Sequence, residues 1–131
     1  MTFAELSPES RCPCQSGETY GECCSPFHNG TAVAPTAERL MRSRYSAYVV
    51  GNADYLRATW HSSTRPATLE IDPDIRWFAL DITGRTGGGM FDSTGTVAFV
   101  ASFRVSGTRG EQNENSRFVK EGKQWFYVDA L

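Results

Sequence analysis

The sequence predicts an α+β fold that consists of a small cysteine-rich segment, then helices, then an antiparallel sheet. Three observations indicate this order. All four cysteines of the 131-residue chain fall within residues 12–24, apolar residues recur at helical spacing over residues 37–49, and apolar residues recur with a period of two in segments after residue 75. Helices that precede antiparallel strands in sequence favour a sheet that curls around the longer helix.

The composition excludes several classes of protein. The apolar fraction is 40% and the formal net charge is −2, values typical of one ordered globular domain without an overall attraction to nucleic acid or anionic lipid. No segment approaches the roughly 18 consecutive apolar residues of a membrane-spanning helix. Residues 1–6 also lack the basic start and apolar core of a signal peptide. We therefore expect a cytoplasmic protein that makes no membrane contact.

Two cysteine pairs, eight residues apart, dominate the first part of the chain: Cys12, Cys14, Cys23 and Cys24. Thiols stay reduced in the cytoplasm, so a cluster of this kind favours a metal site over a disulfide framework. Four thiolates suit a tetrahedral zinc ion with Zn–S bonds of about 2.3 Å, and the glycines between the pairs let the chain reverse. Because the protein supplies every ligand, no position remains for a catalytic water. The sequence therefore predicts one structural Zn²⁺.

Two alternatives to this ligand set remain open from the sequence. The adjacent Cys23 and Cys24, or the pair Cys12 and Cys14, are also typical of a thiol redox centre. His28 lies four residues beyond Cys24 and is a candidate replacement ligand. The cysteine set is complete without this histidine, which favours a solvated loop residue.

Two helices are predicted after the cysteines. A turn-rich connector over residues 29–35 ends in a proline that prevents a helix from running back across it. Thr36 is the predicted N-cap of a helix whose periodicity covers residues 37–49. The glycine and asparagine at 51–52 end this helix, and a second short helix is predicted over residues 53–59.

Four strands are predicted from alternating apolar residues, over residues 75–83, 96–106, 116–120 and 124–128. The glycine-rich residues 84–95 lack the spacing of a phosphate-binding loop, so we expect a flexible hairpin connection there. A tight turn at residues 121–123 joins the last two strands.

The face of the first strand that enters the core is predicted to be the all-apolar one. Phe78, Leu80 and Ile82 would then lie inside, because they form the better core face. The intervening residues, among them Trp77 and Asp81, would lie outside.

Several polar and aromatic residues are candidates for a pocket between the helices and the sheet: Arg44, Tyr45, Tyr48, Trp60, His61 and Asp81. Arg44 falls near the core face of the predicted helix, where an arginine needs a buried partner, and Asp81 is one candidate. If Asp81 faces the pocket it is also a candidate general base. His61 either lines the pocket or caps the carbonyls of the second helix, and capping is the preferred interpretation.

The cysteine motif CPCxSGxxYxxCC at residues 12–24 resembles the SEC-C motif, the zinc knuckle of the SecA translocation ATPase. The segments LMRSRYSAY (40–48), ADYL (53–56) and TWH (59–61) are similar to the YchJ-like family of small bacterial proteins. This resemblance implies a zinc knuckle over residues 1–30 that binds the metal through the four cysteines. It also implies a cone-shaped cystatin-like roll of the nuclear transport factor two superfamily over residues 36–131, with helices packed in a curled four-stranded sheet.

Two functional hypotheses follow. The first is a non-catalytic adaptor protein that uses the zinc knuckle to contact a protein partner, by analogy with the SecA motif, while the second domain gives stability or forms a homodimer. The alternative is a small-molecule binder or an enzyme of the isomerase, dehydratase or hydrolase type that uses the cone pocket. Nucleic-acid binding is not expected, since one arginine against four glutamates gives residues 1–35 a charge of −3.

Overall fold

The computed structural model describes residues 3–131. A 3₁₀ turn, Tyr20–Glu22, precedes three α-helices and four β-strands. The helices are α1 (Ser25–His28), α2 (Ala37–Val50) and α3 (Ala53–Ala58), and the strands are β1 (Arg76–Gly87), β2 (Thr94–Val105), β3 (Thr108–Glu121) and β4 (Gln124–Ala130). The strands form one antiparallel sheet in the order β1-β2-β3-β4. The α+β fold is therefore confirmed.

Helix α2 begins and ends at the residues that the sequence predicts. The Thr36 hydroxyl accepts a hydrogen bond from the backbone N–H of Arg39 at 3.1 Å, which satisfies one of the free amides of the first turn. Gly51 ends the helix in the left-handed region at φ 76°, a conformation that costs glycine little. The buried face of the helix carries Leu40 and Tyr45, which pack into the main core.

The sheet is longer than the sequence predicts. Strand β3 begins at Thr108, whereas the apolar alternation indicated a start near residue 116. Ser106 and Gly107 both have positive φ values, 51° and 79°, and form the tight turn that pairs the two strands from Val105 and Thr108 onward. This continuous pairing with β2 outweighs the low strand propensity of a polar segment.

A β-bulge reverses the predicted orientation of part of β1. Trp77 pairs with Phe103 while Ala79 pairs with the adjacent Ser102, so Phe78 is an extra residue. Trp77 consequently packs against the core, and Phe78 is 40% exposed. The predicted inward Phe78 and outward Trp77 were wrong, because a period-two pattern cannot register one inserted residue.

The core lies between α2 and the inner face of the sheet. Phe118 and Trp125 are among its fully buried side chains, and the Trp125 indole donates to the Pro35 carbonyl at 3.2 Å. Leu56 of α3 is also fully buried. The four cysteines belong to the same apolar cluster as α2 and the strands. In the described part of the chain, no helix has the length and hydrophobicity needed to span a membrane.

Candidate functional site

The four cysteine side chains converge on one point. Each is at most 4% exposed, and their sulfur atoms all lie within 4.8 Å of one another. The Sγ–Sγ distance is 3.6 Å between Cys14 and Cys23 and 3.8 Å between Cys23 and Cys24. A tetrahedron with metal–sulfur bonds of about 2.3 Å has edges of about 3.8 Å. A disulfide would need a separation of about 2.05 Å, and all four thiols are free. The donor set therefore fits a tetrahedral metal ion.

Local backbone structure places each cysteine pair. Cys12 and Cys14 lie on a small hairpin, where the Cys12 N–H donates to the Glu18 carbonyl at 2.9 Å. Gln15 and Gly17 have positive φ values of 63° and 94° and reverse the chain after the first pair. The second pair, Cys23 and Cys24, follows the 3₁₀ turn. The Cys24 carbonyl accepts the first hydrogen bond of α1.

The electrostatics of the cluster favour a bound cation. Burial raises the pKa of Cys23 to about 12. Hydrogen bonds to Cys12 and Cys14, together with burial, raise the pKa of Cys24, whereas hydrogen bonds from Cys14 and Cys24 lower that of Cys12. These opposite shifts mean that the thiols share protons, because four adjacent buried thiolates repel one another. A divalent cation removes that repulsion and lets all four ionise.

Hydroxyl groups surround the sulfur cluster. The Ser16 hydroxyl lies 3.1 Å from the sulfur of Cys23, and the Ser46 hydroxyl of α2 lies 3.5 Å from that of Cys12. Such outer hydrogen bonds orient metal ligands and stabilise charge on them. The arrangement is that of a buried metal-binding site with no exposed ligand.

His28 is neither a fifth ligand nor a solvated loop residue. Its Nδ1 lies 2.6 Å from the Tyr20 hydroxyl and its Nε2 lies 2.8 Å from the Ser43 carbonyl, so both ring nitrogens are occupied. Burial lowers its pKa. The prediction of a solvated histidine was wrong, since the ring bridges the cysteine-rich segment and α2.

Two further hydrogen bonds join the cysteine-rich segment to the cone. Arg42 of α2 donates from Nη1 to the Cys14 carbonyl at 2.6 Å. The Gln15 side-chain carbonyl accepts from the Leu80 N–H at 2.9 Å, on the otherwise open edge of strand β1. The metal site thus helps to cover an edge strand, a position that soluble proteins commonly protect.

A second site lies inside the cone. A cavity of about 280 Å³ separates α2 from the inner face of the sheet, and its wall is mainly aromatic. The residues that line it come from α2, all four strands and the segment after α3, and include Arg44, Tyr45, Tyr48, Trp60, Trp77, Phe99, Glu114 and Tyr127.

Arg44 is the buried cation of this cavity. Its side chain is 4% exposed and donates from Nη1 to the Leu56 carbonyl at 2.8 Å and to the Thr59 hydroxyl at 2.7 Å. The guanidinium lies over the rings of Trp60 and Tyr127, at 5.1 and 4.6 Å from their centroids. Burial lowers the pKa of Arg44, but an arginine side chain stays a cation in proteins at neutral pH.

Glu114 is the acidic residue of the cavity. Its carboxylate accepts hydrogen bonds from the Ser116 and Tyr127 hydroxyls, the latter at 3.2 Å, and from the Gln112 amide at 2.9 Å. Three donors therefore hold this carboxylate in place.

Three comparisons place this chain among known proteins. The YchJ middle NTF2-like domain matches residues 36–130, and the SEC-C motif matches residues 10–26. A UPF0225 protein of Streptomyces coelicolor is 51% identical over 123 residues, which cover 94% of this chain and 96% of that protein. The chain belongs to the YchJ-like (UPF0225) family. A UPF0225 protein of Corynebacterium glutamicum is 54% identical over 117 residues, covering 89% and 93% of the two chains.

Two solved structures share the fold of this YchJ-like chain. The solution structure of RPA3114, a SEC-C motif containing protein from Rhodopseudomonas palustris, has a TM-score of 0.80 and 32% identity, over 92% of this chain and 96% of that one. The crystal structure of a SEC-C motif containing protein from Psychrobacter arcticus has a TM-score of 0.78 and 26% identity, over 93% and 82%.

The cone of this YchJ-like protein gathers four of the six predicted pocket residues: Arg44, Tyr45, Tyr48 and Trp60 line the cavity. Asp81 lies exposed on β1 and is not the partner of Arg44, because its position on that strand faces away from the core. His61 does not line the cavity either. Its ring bonds the Ser63 hydroxyl at 2.7 Å and the Glu121 carboxylate at 2.9 Å instead of capping α3.

The contribution of strands β2, β3 and β4 to this cavity was not predicted from the sequence. Glu114 lies before residue 116, where the third strand was predicted to begin, and Trp77 was predicted to lie outside. No local signal locates Glu114, because residues 112–115 are all amide or acidic and show no apolar alternation.

Proposed function

We propose that this protein is a zinc-stabilised, non-catalytic binding protein of the reducing cytoplasm. The observation that carries the proposal is the convergence of four buried cysteine sulfurs within 4.8 Å. Four thiolates saturate a tetrahedral Zn²⁺ and leave no position for a substrate or an activated water. The bound ion would supply folding free energy and would fix the cysteine-rich segment against α2.

The first test is the metal content of the protein purified without chelator, together with a count of reactive thiols. We expect about one zinc per chain and four thiols that react only after denaturation or metal removal. A metal-free protein that forms and breaks a disulfide reversibly would overturn the zinc assignment and favour thiol redox chemistry. A site filled by iron would overturn the choice of metal alone.

The proposed partner surface lies beside the metal site. Residues 15–18 form an exposed loop whose base is fixed by the cysteines. A groove of about 360 Å³ separates this loop from strand β1, and its lining includes Arg11, Pro13 and Phe78. A loop held rigidly loses little entropy when a partner binds, which favours recognition at this position.

The chemistry of the surface indicates an acidic protein segment with an apolar anchor residue. The guanidinium groups of Arg104 and Arg109 both lie over the exposed Phe78 ring, at 5.1 and 5.2 Å from its centroid. These two arginines are directly opposite each other on β2 and β3, and like charges in such pairs destabilise a sheet. An acidic partner would offset this repulsion, while Phe78 would contact its apolar residue.

Affinity capture with surface variants tests the partner proposal. We expect Arg109→Glu to lose the proteins captured by the wild type, and Lys123→Glu, which changes charge equally at the exposed β3–β4 turn, to retain them. Both variants should keep their metal. Retention of every partner by a Cys12→Ser/Cys24→Ser variant would overturn the adaptor role. Capture that disappears after nuclease treatment would overturn the choice of a protein partner.

The homodimer is a separate prediction. Two differently tagged copies of the chain, expressed together, should be recovered together, and the mass in solution should be that of two chains. A monomer at every accessible concentration would overturn this prediction and leave the metal and partner proposals unchanged.

A further inference from the structure

The cone cavity contains polar groups that the described residues leave unsatisfied. The Trp60 indole nitrogen and the Tyr45 hydroxyl are both buried, and neither has a hydrogen-bond partner within residues 3–131. Both residues line the cavity. A buried polar group without a partner costs about 1–3 kcal/mol, so two in one cavity require an explanation.

The cavity also contains an arginine without an ion pair. Among the described residues, none forms a salt bridge with Arg44, although Glu114 lines the same space. The hydrogen bonds of the guanidinium leave from Nη1, toward Leu56 and Thr59. Its Nη2 and Nε groups form no hydrogen bond within the described residues and remain able to donate.

These unsatisfied groups are mostly donors. An indole N–H and a guanidinium can only donate, and the tyrosine hydroxyl can do either. The acidic residue of the cavity is already satisfied, because Glu114 accepts from Gln112, Ser116 and Tyr127. A ligand in the cavity must therefore supply hydrogen-bond acceptors. It must also fit beside the Glu114 carboxylate, which already accepts three hydrogen bonds.

The shape and wall of the cavity restrict the occupant further. A volume of about 280 Å³ is near the lower end of the range of roughly 300–1,000 Å³ for small-molecule pockets. Trp77, Phe99 and Tyr48 contribute flat aromatic surface to the wall. Aromatic walls favour a planar molecule, because offset-stacked and edge-to-face contacts are then available.

We propose that the cone is a binding site for a small planar carboxylate, which Arg44 and Trp60 hold by its anionic group while the aromatic wall contacts its ring or conjugated system. Tyr45 provides a further hydrogen bond. The anion is preferred to a neutral acceptor because it completes the ion pair that the buried arginine lacks. This inference is independent of the metal and of the partner surface.

The three tryptophans allow a direct test with the full chain. Each indole N–H gives its own signal in a ¹H–¹⁵N spectrum, and the Trp125 indole already donates to Pro35, so it serves as an internal control. The probes are benzoate, trans-cinnamate and 2-naphthoate, with benzamide and benzylammonium as neutral and cationic counterparts. We expect at least one carboxylate to move the Trp60 signal downfield at millimolar concentration and to leave the Trp125 signal in place.

Variants then test the named contacts. Trp60→Phe removes the N–H and keeps an aromatic ring, and Arg44→Met keeps most of the side-chain volume without the charge. Each should weaken binding of the active carboxylate roughly tenfold or more, since a hydrogen bond to a charged group contributes about 1.5–3 kcal/mol. Tyr45→Phe should weaken it less. Unchanged indole signals of the remaining tryptophans would show that a variant is still folded.

Three results would overturn the proposal. The first is benzamide binding as tightly as benzoate, which would show that no anion is recognised. The second is binding that leaves the Trp60 signal unmoved or that survives Trp60→Phe and Arg44→Met. The third is that no carboxylate binds while water contacts the Trp60 N–H, because the unpaired groups would then be satisfied by ordered water.

Discussion

The metal centre and the cone cavity both bury polar side chains, but they satisfy them in different ways. Around the metal centre, Ser16, Ser46 and Arg42 supply hydrogen bonds to the cysteine sulfurs or backbone. In the cavity, the Trp60 nitrogen and the Tyr45 hydroxyl form no hydrogen bond with the part of the chain that the structure describes. The first region is complete once an ion is bound, whereas the second remains open to a ligand. We therefore expect the metal ion itself to stabilise the fold, whereas the cavity is the region that we propose to bind a small molecule.

The two regions also share a wall. Tyr45 and Trp77 line both the cone cavity and the groove beside the cysteine-rich segment. The centroids of their rings are 6.4 Å apart, in an edge-to-face arrangement. One layer of aromatic side chains therefore separates the cavity from the groove beside the metal centre.

Loss of the metal gives the largest expected effect. Cys14→Ser removes a fully buried ligand, and we expect the variant to lose its zinc and the cooperative folding of the cysteine-rich segment. Structural zinc contributes about 10–16 kcal/mol in small peptides, which is comparable to the total stability of about 5–15 kcal/mol of a domain. Metal content and thermal unfolding followed by circular dichroism measure both effects.

A matched control accompanies this variant. Ser16→Ala removes only an outer hydrogen bond to the Cys23 sulfur and should keep the metal. If the Cys14→Ser variant has the same unfolding temperature as the wild type, the metal centre does not stabilise the fold as we expect.

Truncation of the cone core gives the next largest effect and separates the two regions. Phe118→Ala removes a ring that is 1% exposed on β3 and should lower the free energy of unfolding by about 3–5 kcal/mol. Because Phe118 lies beside Tyr127 rather than beside the cysteines, the folded variant should retain one zinc per chain. Denaturant unfolding and metal analysis of the same sample measure this. If the Phe118→Ala variant lost its zinc as well as stability, the cone core and the metal centre would not be independent.

The contact between the regions gives a smaller effect. Arg42→Met removes the hydrogen bond to the Cys14 carbonyl and an ion pair with Glu38, and should cost about 1–3 kcal/mol and speed the transfer of zinc to a chelator. Arg85→Met is the matched control, because Arg85 also pairs with Glu38 but does not reach the metal centre. Equal rates of zinc transfer for the two variants would contradict a role for the Cys14 hydrogen bond.

The same contrast explains what the sequence could predict. The cysteine ligands lie within thirteen residues, so their spacing alone defined the metal centre, and Thr36 and Gly51 defined the ends of α2. These features are set by local chain geometry. The bonds that fix His28 could not be predicted, because its partner Ser43 lies fifteen residues away.

The cavity depended on non-local geometry. Arg44 was recognised as a buried cation from its place on the helix face, but its partners Leu56 and Thr59 come from α3 and the residue after it. Asp81 was only one candidate partner, and the structure shows it exposed on β1, as the preferred outward orientation predicted. The bulge at Phe78 instead explains why Trp77 was not expected at the cavity, because an inserted residue has no signature in a period-two pattern. Pairing across β2 and β3 then brought Glu114 to the cavity, which no local propensity predicts.

The smallest effect concerns an exposed pair that belongs to neither region and so serves as their reference. Arg117 and Asp129 are opposite each other on β3 and β4, with nitrogen–oxygen distances of 2.7 and 3.0 Å. The hydrogen bonds from Arg117 lower the pKa of Asp129 below 3.8. A carboxylate whose pKa is lowered in the folded state stabilises the fold fully at pH values above its pKa in the unfolded chain. It loses that contribution as the pH falls through its pKa in the folded state.

A double-mutant cycle with Arg117→Ala and Asp129→Ala should therefore give a small coupling free energy that is constant from about pH 7 to about pH 5. Asp129 stays ionised in the folded and unfolded states over that range. High salt should weaken the coupling, because both side chains face solvent. Zinc content and the response of Trp60 to carboxylates should stay unchanged in both variants. A change in either would show that the outer face of the sheet communicates with the regions that the comparison separates.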